Sequence, residues 1–177
     1  MRQMSLNQLA YQYFGGVDLM AIEGVSHATV MAVMSEVGLE GFSKFETSKQ
    51  FTSWLHLSPN TKITGGKVIN SHITKGGNRL KIALRNAANV IGNFKDTHLS
   101  DFFKRILHKI DRATAIIATA RNLGVILWNM ITKKEAYKPP TEYLLLDQKR
   151  KLKMVKQIRK TITKFEIKPE DIGFATL

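Results

Sequence analysis

Cysteine is absent from the sequence. Its absence excludes disulfide bonds, thiolate zinc sites and cysteine nucleophiles, and it fits a reducing compartment. The first residues also lack the apolar core of a signal peptide, and no stretch approaches the roughly 20 apolar residues of a membrane span. The longest apolar stretch, residues 113–128, contains Arg121 and Asn122 near its middle, which favours a core helix. We therefore expect a soluble, cytoplasmic protein.

Acidic residues are missing from two windows, residues 47–95 and 149–164, and each window contains eight Lys or Arg. Over the whole chain, 27 basic and 14 acidic side chains give a net charge of +13. This excess favours a polyanionic partner, because cations placed on phosphates release condensed counterions. Ribosomal, membrane-surface and DNA-binding proteins share the property, and composition alone does not choose among them.

Helical periodicity dominates the pattern of apolar residues, which form 44% of the chain and can bury a sizeable core. Gly38 and Asn78 are natural cap residues for two of the helices, whereas strand signals are weak. We predict a mainly α fold: a helix-hairpin-helix-like unit, a Gly-rich basic loop, a helical hairpin and a basic C-terminal helix. The predicted helices are 18–23, 28–37, 48–57, 78–91, 99–110, 113–131 and 142–165.

Three regions are predicted along the chain: an N-terminal remnant of a preceding region at 1–15, a binding domain at 16–138, and a basic helical extension at 139–177. Pro139 and Pro140 mark the second boundary. The final helix suits docking on the body with a basic outer face, and it also fits an amphipathic helix that binds a partner or a surface. Its apolar side consists of Leu145, Leu152, Val155, Ile158 and Ile162.

The first motif is LMAIEGVSHATVMAV at residues 19–33. It resembles a helix-hairpin-helix, in which the turn and the start of the second helix bind a phosphate through amides left unpaired at a helix N-terminus. Gly24 and Val25 fit the Gly-hydrophobic-Gly turn, and Ser26 replaces its second glycine. The alternative is a pair of helices that only pack against each other.

The second motif is a glycine-rich connection over residues 57–79. Two glycine pairs would let the backbone approach a ligand closely, and the neighbouring basic residues supply charge. The spacing does not fit a Walker loop. A mobile surface loop is the alternative. The residues singled out here are Gly65, Gly66, Lys67, Lys75, Gly77, Asn78 and Arg79, with Arg85 on the following helix.

The two motifs together resemble a known family. A hairpin of the form IxGVSxATVxAVxSEVG is followed by FxSWLxLSPN, and then by TGGK and ITKGGNRLKxALRNAA. This combination is similar to the C-terminal domain of DEDD-type insertion-sequence transposases, the class related to the Piv and MooV invertases. The resemblance is close over residues 16–93 and looser over residues 94–147.

The resemblance implies DNA as the partner, and some members of the family also use a guide RNA. Members carry a RuvC-like N-terminal domain with four acidic metal ligands, and a serine before the glycines of an SGGK loop is the implied nucleophile. In this chain that position is Thr64, and His72 is the nearest candidate base. Mg²⁺ is expected only in the acidic domain, so this chain is expected to hold no cofactor. Homo-oligomers on DNA and a bacterial, nucleoid-associated location are further expectations.

The acidic residues near the start of the chain do not suggest that metal-binding domain. Asp18, Glu23, Glu36 and Glu40 are expected at ordinary surface positions, so the metal-bearing half is expected to be missing. The leading hypothesis is therefore a truncated DNA-binding transposase domain involved in DNA transposition and recombination. The first alternative is a non-catalytic module for DNA or structured RNA. The second is a membrane-surface or partner-binding protein acting through the final helix.

Overall fold

The computed structural model describes residues 5–73, 76–95, 97–138 and 142–165, with only the backbone described for 60–63, 67–73, 142–151, 153 and 164. The chain divides into two compact units, residues 1–138 and 139–177. The predicted mainly α fold is confirmed. The segment 1–15 belongs to the first unit, in which Ala10 and Phe14 are buried.

The first unit is a helical body with one β hairpin inserted into it. A single 3₁₀ turn, Leu19–Ala21, replaces the predicted helix 18–23. The element order is α1 Leu6–Tyr13, the 3₁₀ turn, α2 His27–Glu36, α3 Gly38–Phe42, α4 Ser48–Trp54, β1 Pro59–Thr64, β2 Lys67–Ile73, α5 Arg79–Ile91, α6 His98–Lys109 and α7 Arg112–Lys133.

The longest helix of this unit, α7, lies at the centre of the body. It packs against α3, α4, α5 and α6. Gly124 allows close approach to α4, because a Cβ at this position would lie 3.3 Å from the Thr52 methyl carbon. By length and a mean hydropathy of 1.3, α7 could cross a membrane, and it is the one such helix in the part of the chain described. The burial of Leu123 and Leu127 among other helices identifies it instead as a core helix.

Side-chain caps fix the starts of most of these helices. Ser5, Thr47, Asn78, Thr97 and Asp111 each accept a hydrogen bond from a backbone amide in the first turn of the helix that follows. Such caps satisfy amides that would otherwise lack an acceptor. The predicted cap at Asn78 is therefore confirmed, with the Lys81 amide as its donor at 2.9 Å.

The cap of α7 has an expected pH dependence. The Thr114 amide donates to the Asp111 carboxylate at 2.6 Å, and this bond holds the pKa of Asp111 below its usual range. Because the folded pKa is lowered, the stabilisation is present above the unfolded pKa and is lost as the pH falls through the folded pKa. We expect Asp111→Ala to lower the free energy of unfolding at neutral pH, with a difference from the unmodified chain that shrinks in acid.

Thr97 provides the matched control, since its neutral hydroxyl accepts the Ser100 amide at 3.2 Å at the start of α6. Thr97→Ala should cost about 1 kcal/mol at every pH at which the protein folds. Denaturant titrations across the acid range measure both variants. An Asp111→Ala effect that is as independent of pH as that of Thr97→Ala would contradict the charge-based account of the α7 cap.

The glycine-rich connection contains a two-stranded antiparallel hairpin, not the irregular loop that the sequence predicted. Pro59 pairs with Ile73 and Thr64 with Lys67, and the register shifts between Lys62 and Ile63. Gly65 and Gly66 form the two-residue turn with φ of 57° and 74°. Positive φ at both central residues is the requirement of the type I′ turn, whose twist matches that of the paired strands. Among the described elements, the strands contact each other far more than any helix.

The second unit contains α8, Glu142–Phe165. Of the apolar side predicted for this helix, Leu152, Val155 and Ile158 are exposed and Ile162 is half-buried. The side chain of Leu145 lies outside the described residues. The helix keeps the basic composition predicted for it, with Lys156, Arg159 and Lys160 exposed.

Candidate functional site

The turn between the 3₁₀ helix and α2 is built around Gly24, which has a φ of +77°. A Cβ at Gly24 would lie 2.6 Å from Ile91 Cγ1 and 3.0 Å from the Ala87 carbonyl oxygen, so the turn packs directly against α5. The side chain of Val25 is buried beside it. Ser26 has a φ of −108°, an extended conformation that any residue adopts, so the missing second glycine is no obstacle to this turn.

The start of α2 differs from the capped helices. Ser26 occupies the N-cap position, but no side chain caps the first-turn amides, and the Ser26 hydroxyl lies instead 3.4 Å from the Thr29 hydroxyl. Uncapped amides and the positive end of the helix dipole together favour an anion at such a terminus. The segment predicted to bind a phosphate therefore has backbone amides that donate to no side chain of the described chain.

The α2–α5 groove joins this terminus to the second predicted motif. It has a volume of about 660 Å³ and is open to solvent. Gly24 and Ser26 line it from the turn, and Arg79 lines it from the first position of α5. Met31 and Ile82 contribute exposed apolar surface from the two helices. Residues about fifty positions apart in the sequence, predicted separately as DNA-binding, thus share one surface.

Lys81 is buried, although it lies on α5 between the exposed Arg79 and Arg85. Its ammonium donates to the Gly76 carbonyl at 2.6 Å, and its aliphatic stem packs on Gly77, where it leaves no room for a side chain. Burial lowers the pKa of Lys81, and the charge of Arg85 lowers it further. Gly77, Asn78 and Lys81 therefore organise the entry to α5, and Arg85 is exposed on the same helix.

The hairpin tip, residues 64–67, holds the remaining predicted site. Thr64, Gly65 and Gly66 are exposed, and a Cβ at either glycine would have no atom within 4 Å. Thr64 is the last residue of β1 and pairs with Lys67 across the turn. Lys75 lies outside the described residues, as does the side chain of His72.

Glu23 departs from the ordinary surface placement predicted for it, because its Oε2 atom is buried without a hydrogen-bond partner. Burial lowers the pKa of His98, and the charge of Glu23 partly opposes this shift. Burial raises the pKa of Tyr137, and the charge of Glu23 raises it further. Within the described part of the chain, no group of His, Asp and Glu residues could hold a metal ion. No local pattern in the sequence predicts this polar cluster.

Two comparisons with known proteins bear on this surface. Residues 18–104 match the model of the Transposase IS116/IS110/IS902 family, a span that begins just before the 3₁₀ turn and includes the Gly24 turn, the hairpin and α5. The chain is also 26% identical over 122 residues to the transposase for insertion sequence element IS1111A of Coxiella burnetii. That alignment covers 67% of this chain and 33% of the relative, so the chain spans about a third of the length of the curated relative that it matches. Both matches are therefore to transposases of insertion sequences, and the residues matched by the family model lie within the first unit.

Proposed function

We propose that the chain is the DNA-binding C-terminal region of an insertion-element transposase. The observation that carries the proposal is the α2–α5 groove, where Gly24 and Ser26 meet Arg79 beside the uncapped start of α2. Amides at a helix terminus and an adjacent guanidinium suit the backbone phosphates of DNA. The net charge of +13 supplies the long-range attraction that such a partner requires.

The hairpin tip is the proposed point of DNA strand transfer. There the Thr64 hydroxyl would attack a phosphorus atom, forming a Thr–phosphate ester while the bond to one deoxyribose oxygen breaks and that oxygen takes up a proton. Exposure of Thr64 and the open space around Gly65 and Gly66 would admit a DNA strand. The β-methyl of threonine restricts its rotamers, so the attack would be slower than that of serine.

The resemblance implies Mg²⁺ in the acidic domain of a complete transposase, and no step proposed for this chain passes through a metal ion. The guide RNA, the homo-oligomer on DNA, the helix-hairpin-helix relationship and the nucleoid location belong to the same proposal. A binding module without strand transfer would use the same groove, so a covalent DNA adduct that is lost in Thr64→Ala separates the two functions.

The salt dependence of DNA binding tests the groove. Each phosphate contact contributes about 0.9 to the slope of log K against log salt concentration. We expect Arg79→Ala to reduce the slope by about 1 and Lys75→Ala with Arg79→Ala to reduce it by about 2, because each change removes one phosphate contact. Fluorescence anisotropy with labelled duplex DNA over a salt series measures these slopes.

Lys109→Ala is the matched control, since Lys109 is exposed at the end of α6 and does not line the groove. Lys109→Ala changes the net charge by the same amount as Arg79→Ala. Because Lys109 lies outside the groove, we expect the DNA affinity of this variant to change only slightly and its salt slope to stay the same. An equal reduction in both slopes would show a response to total charge and would count against the groove. Structured RNA assayed in parallel shows whether RNA is the preferred partner.

A further inference from the structure

A second cavity, of about 670 Å³, lies at the base of the hairpin, away from the residues of the α2–α5 groove. It is bounded by Leu57 and Pro59 at the start of β1, by Phe102 of α6 and by one face of α7. Its volume falls within the range of small-molecule sites, about 300–1,000 Å³. The cavity matters because Pro59 both lines it and begins the strand that ends at Thr64.

Two polar side chains enter the lining from successive positions of α7, Arg121 and Asn122. Both are half-buried, and neither forms a hydrogen bond or an ion pair with any described residue. Among the described residues of the lining, Arg121 is the one that carries a charge, and a guanidinium in this position favours an anion. The Asn122 amide offers one acceptor and two donor hydrogens, a combination that matches the edge of a nucleobase.

The rest of the lining is suited to an aromatic group. Phe102 supplies a ring, and Ile117 and Val125 supply aliphatic walls from α7. The Arg105 guanidinium lies over the Phe102 ring, 5.7 Å from its centroid, and this cation–π contact helps to hold the ring in place. Bases stack on aromatic side chains with little dependence on sequence. A ligand with a planar base and a phosphate would therefore satisfy the apolar and the charged parts of the cavity together.

We propose that this cavity binds a single unpaired nucleotide of the DNA strand that lies along the hairpin, an inference that rests on the proposed function. Pro59 and Thr64 are separated by five residue steps of strand, about 17 Å. Duplex DNA advances about 3.4 Å per base pair, so the cavity lies about five base pairs from the hairpin tip. The base stacks against Phe102 and is held at its edge by Asn122, and Arg121 binds the adjoining phosphate.

The test compares a fully paired duplex with the same duplex carrying one T·T mismatch. Extruding a base requires unstacking and unpairing, and a mismatch has already lost part of that cost. We expect the unmodified chain to bind the mismatched duplex about tenfold more tightly. The variant Arg121→Ala with Asn122→Ala should bind both duplexes equally, because it lacks the groups that hold the extruded nucleotide. Its retained affinity for the paired duplex shows that it is folded.

Lys133→Ala is the control on the same helix, since Lys133 is exposed and does not line the cavity, and it should keep the tenfold preference. No preference in the unmodified chain, or a preference that survives in the double variant, overturns the inference and leaves DNA binding intact. Absence of salt-dependent binding to either duplex overturns the proposed function as well. The two failures are therefore distinguishable in one set of titrations.

Discussion

Gly24→Ala is expected to lower the free energy of unfolding by about 2–5 kcal/mol. A non-glycine residue in the left-handed region costs about 1–2 kcal/mol, and forcing atoms into a packed contact costs about 1–3 kcal/mol. Both costs apply at Gly24, where φ is +77° and a Cβ would press on Ile91 and on the Ala87 carbonyl. Because a domain is stable by only about 5–15 kcal/mol, the loss is a large fraction of the total. Chemical denaturation measures it.

Gly65→Ala separates the two costs. Gly65 has a similar φ, +57°, but a Cβ there would have no atom within 4 Å. We expect its effect to stay within the backbone cost of about 1–2 kcal/mol. Equal losses for the two variants would mean that the turn is not packed against α5, and the α2–α5 groove would then lose its structural basis.

Leu123→Ala is the second change with a large expected effect, about 2–5 kcal/mol. The side chain is fully buried in the core on α7. Truncation removes its contacts and leaves a cavity that the surrounding helices fill only in part. The loss should be visible in urea titrations of the purified protein without detergent.

Ile117→Ala is the comparison on the same helix, because Ile117 is half-buried and lines the cavity at the base of the hairpin. Ile117→Ala should lower the free energy of unfolding clearly less than Leu123→Ala does, because less apolar area is removed from contact. If both variants were equally stable, α7 would not be packed as a core helix, and the membrane-spanning length of its apolar stretch would need another explanation.

The helices were predictable because their signals are local. Apolar spacing and the cap at Asn78 placed α5 correctly, and the periodicity of residues 113–131 anticipated α7 within two residues at its C-terminal end. The prediction of a helix at residues 18–23 was wrong, because only the 3₁₀ turn Leu19–Ala21 forms before Gly24.

The hairpin could not be predicted with the same ease, because adjacent glycines are common both in flexible loops and in tight turns. Two adjacent glycines between short apolar-polar alternations satisfy a type I′ turn as well as a loop. The α2–α5 groove and the burial of Lys81 depend on contacts between distant segments, which no local pattern specifies. The separate DNA-binding predictions for Gly24 and Arg79 needed the fold before they could be assigned to one surface.

The hydrogen bond from the Lys81 ammonium to the Gly76 carbonyl attaches the segment that follows β2 to the first turn of α5. Because the Lys81 side chain is largely buried and its ammonium is held at 2.6 Å from the carbonyl, dissolved salt screens this contact less than it screens an exposed guanidinium on a phosphate. Raising the ionic strength should therefore release the nucleic acid while the segment after the hairpin stays attached to α5. The hairpin would then keep its position through a high-salt step, and the protein could bind DNA again when the salt is removed.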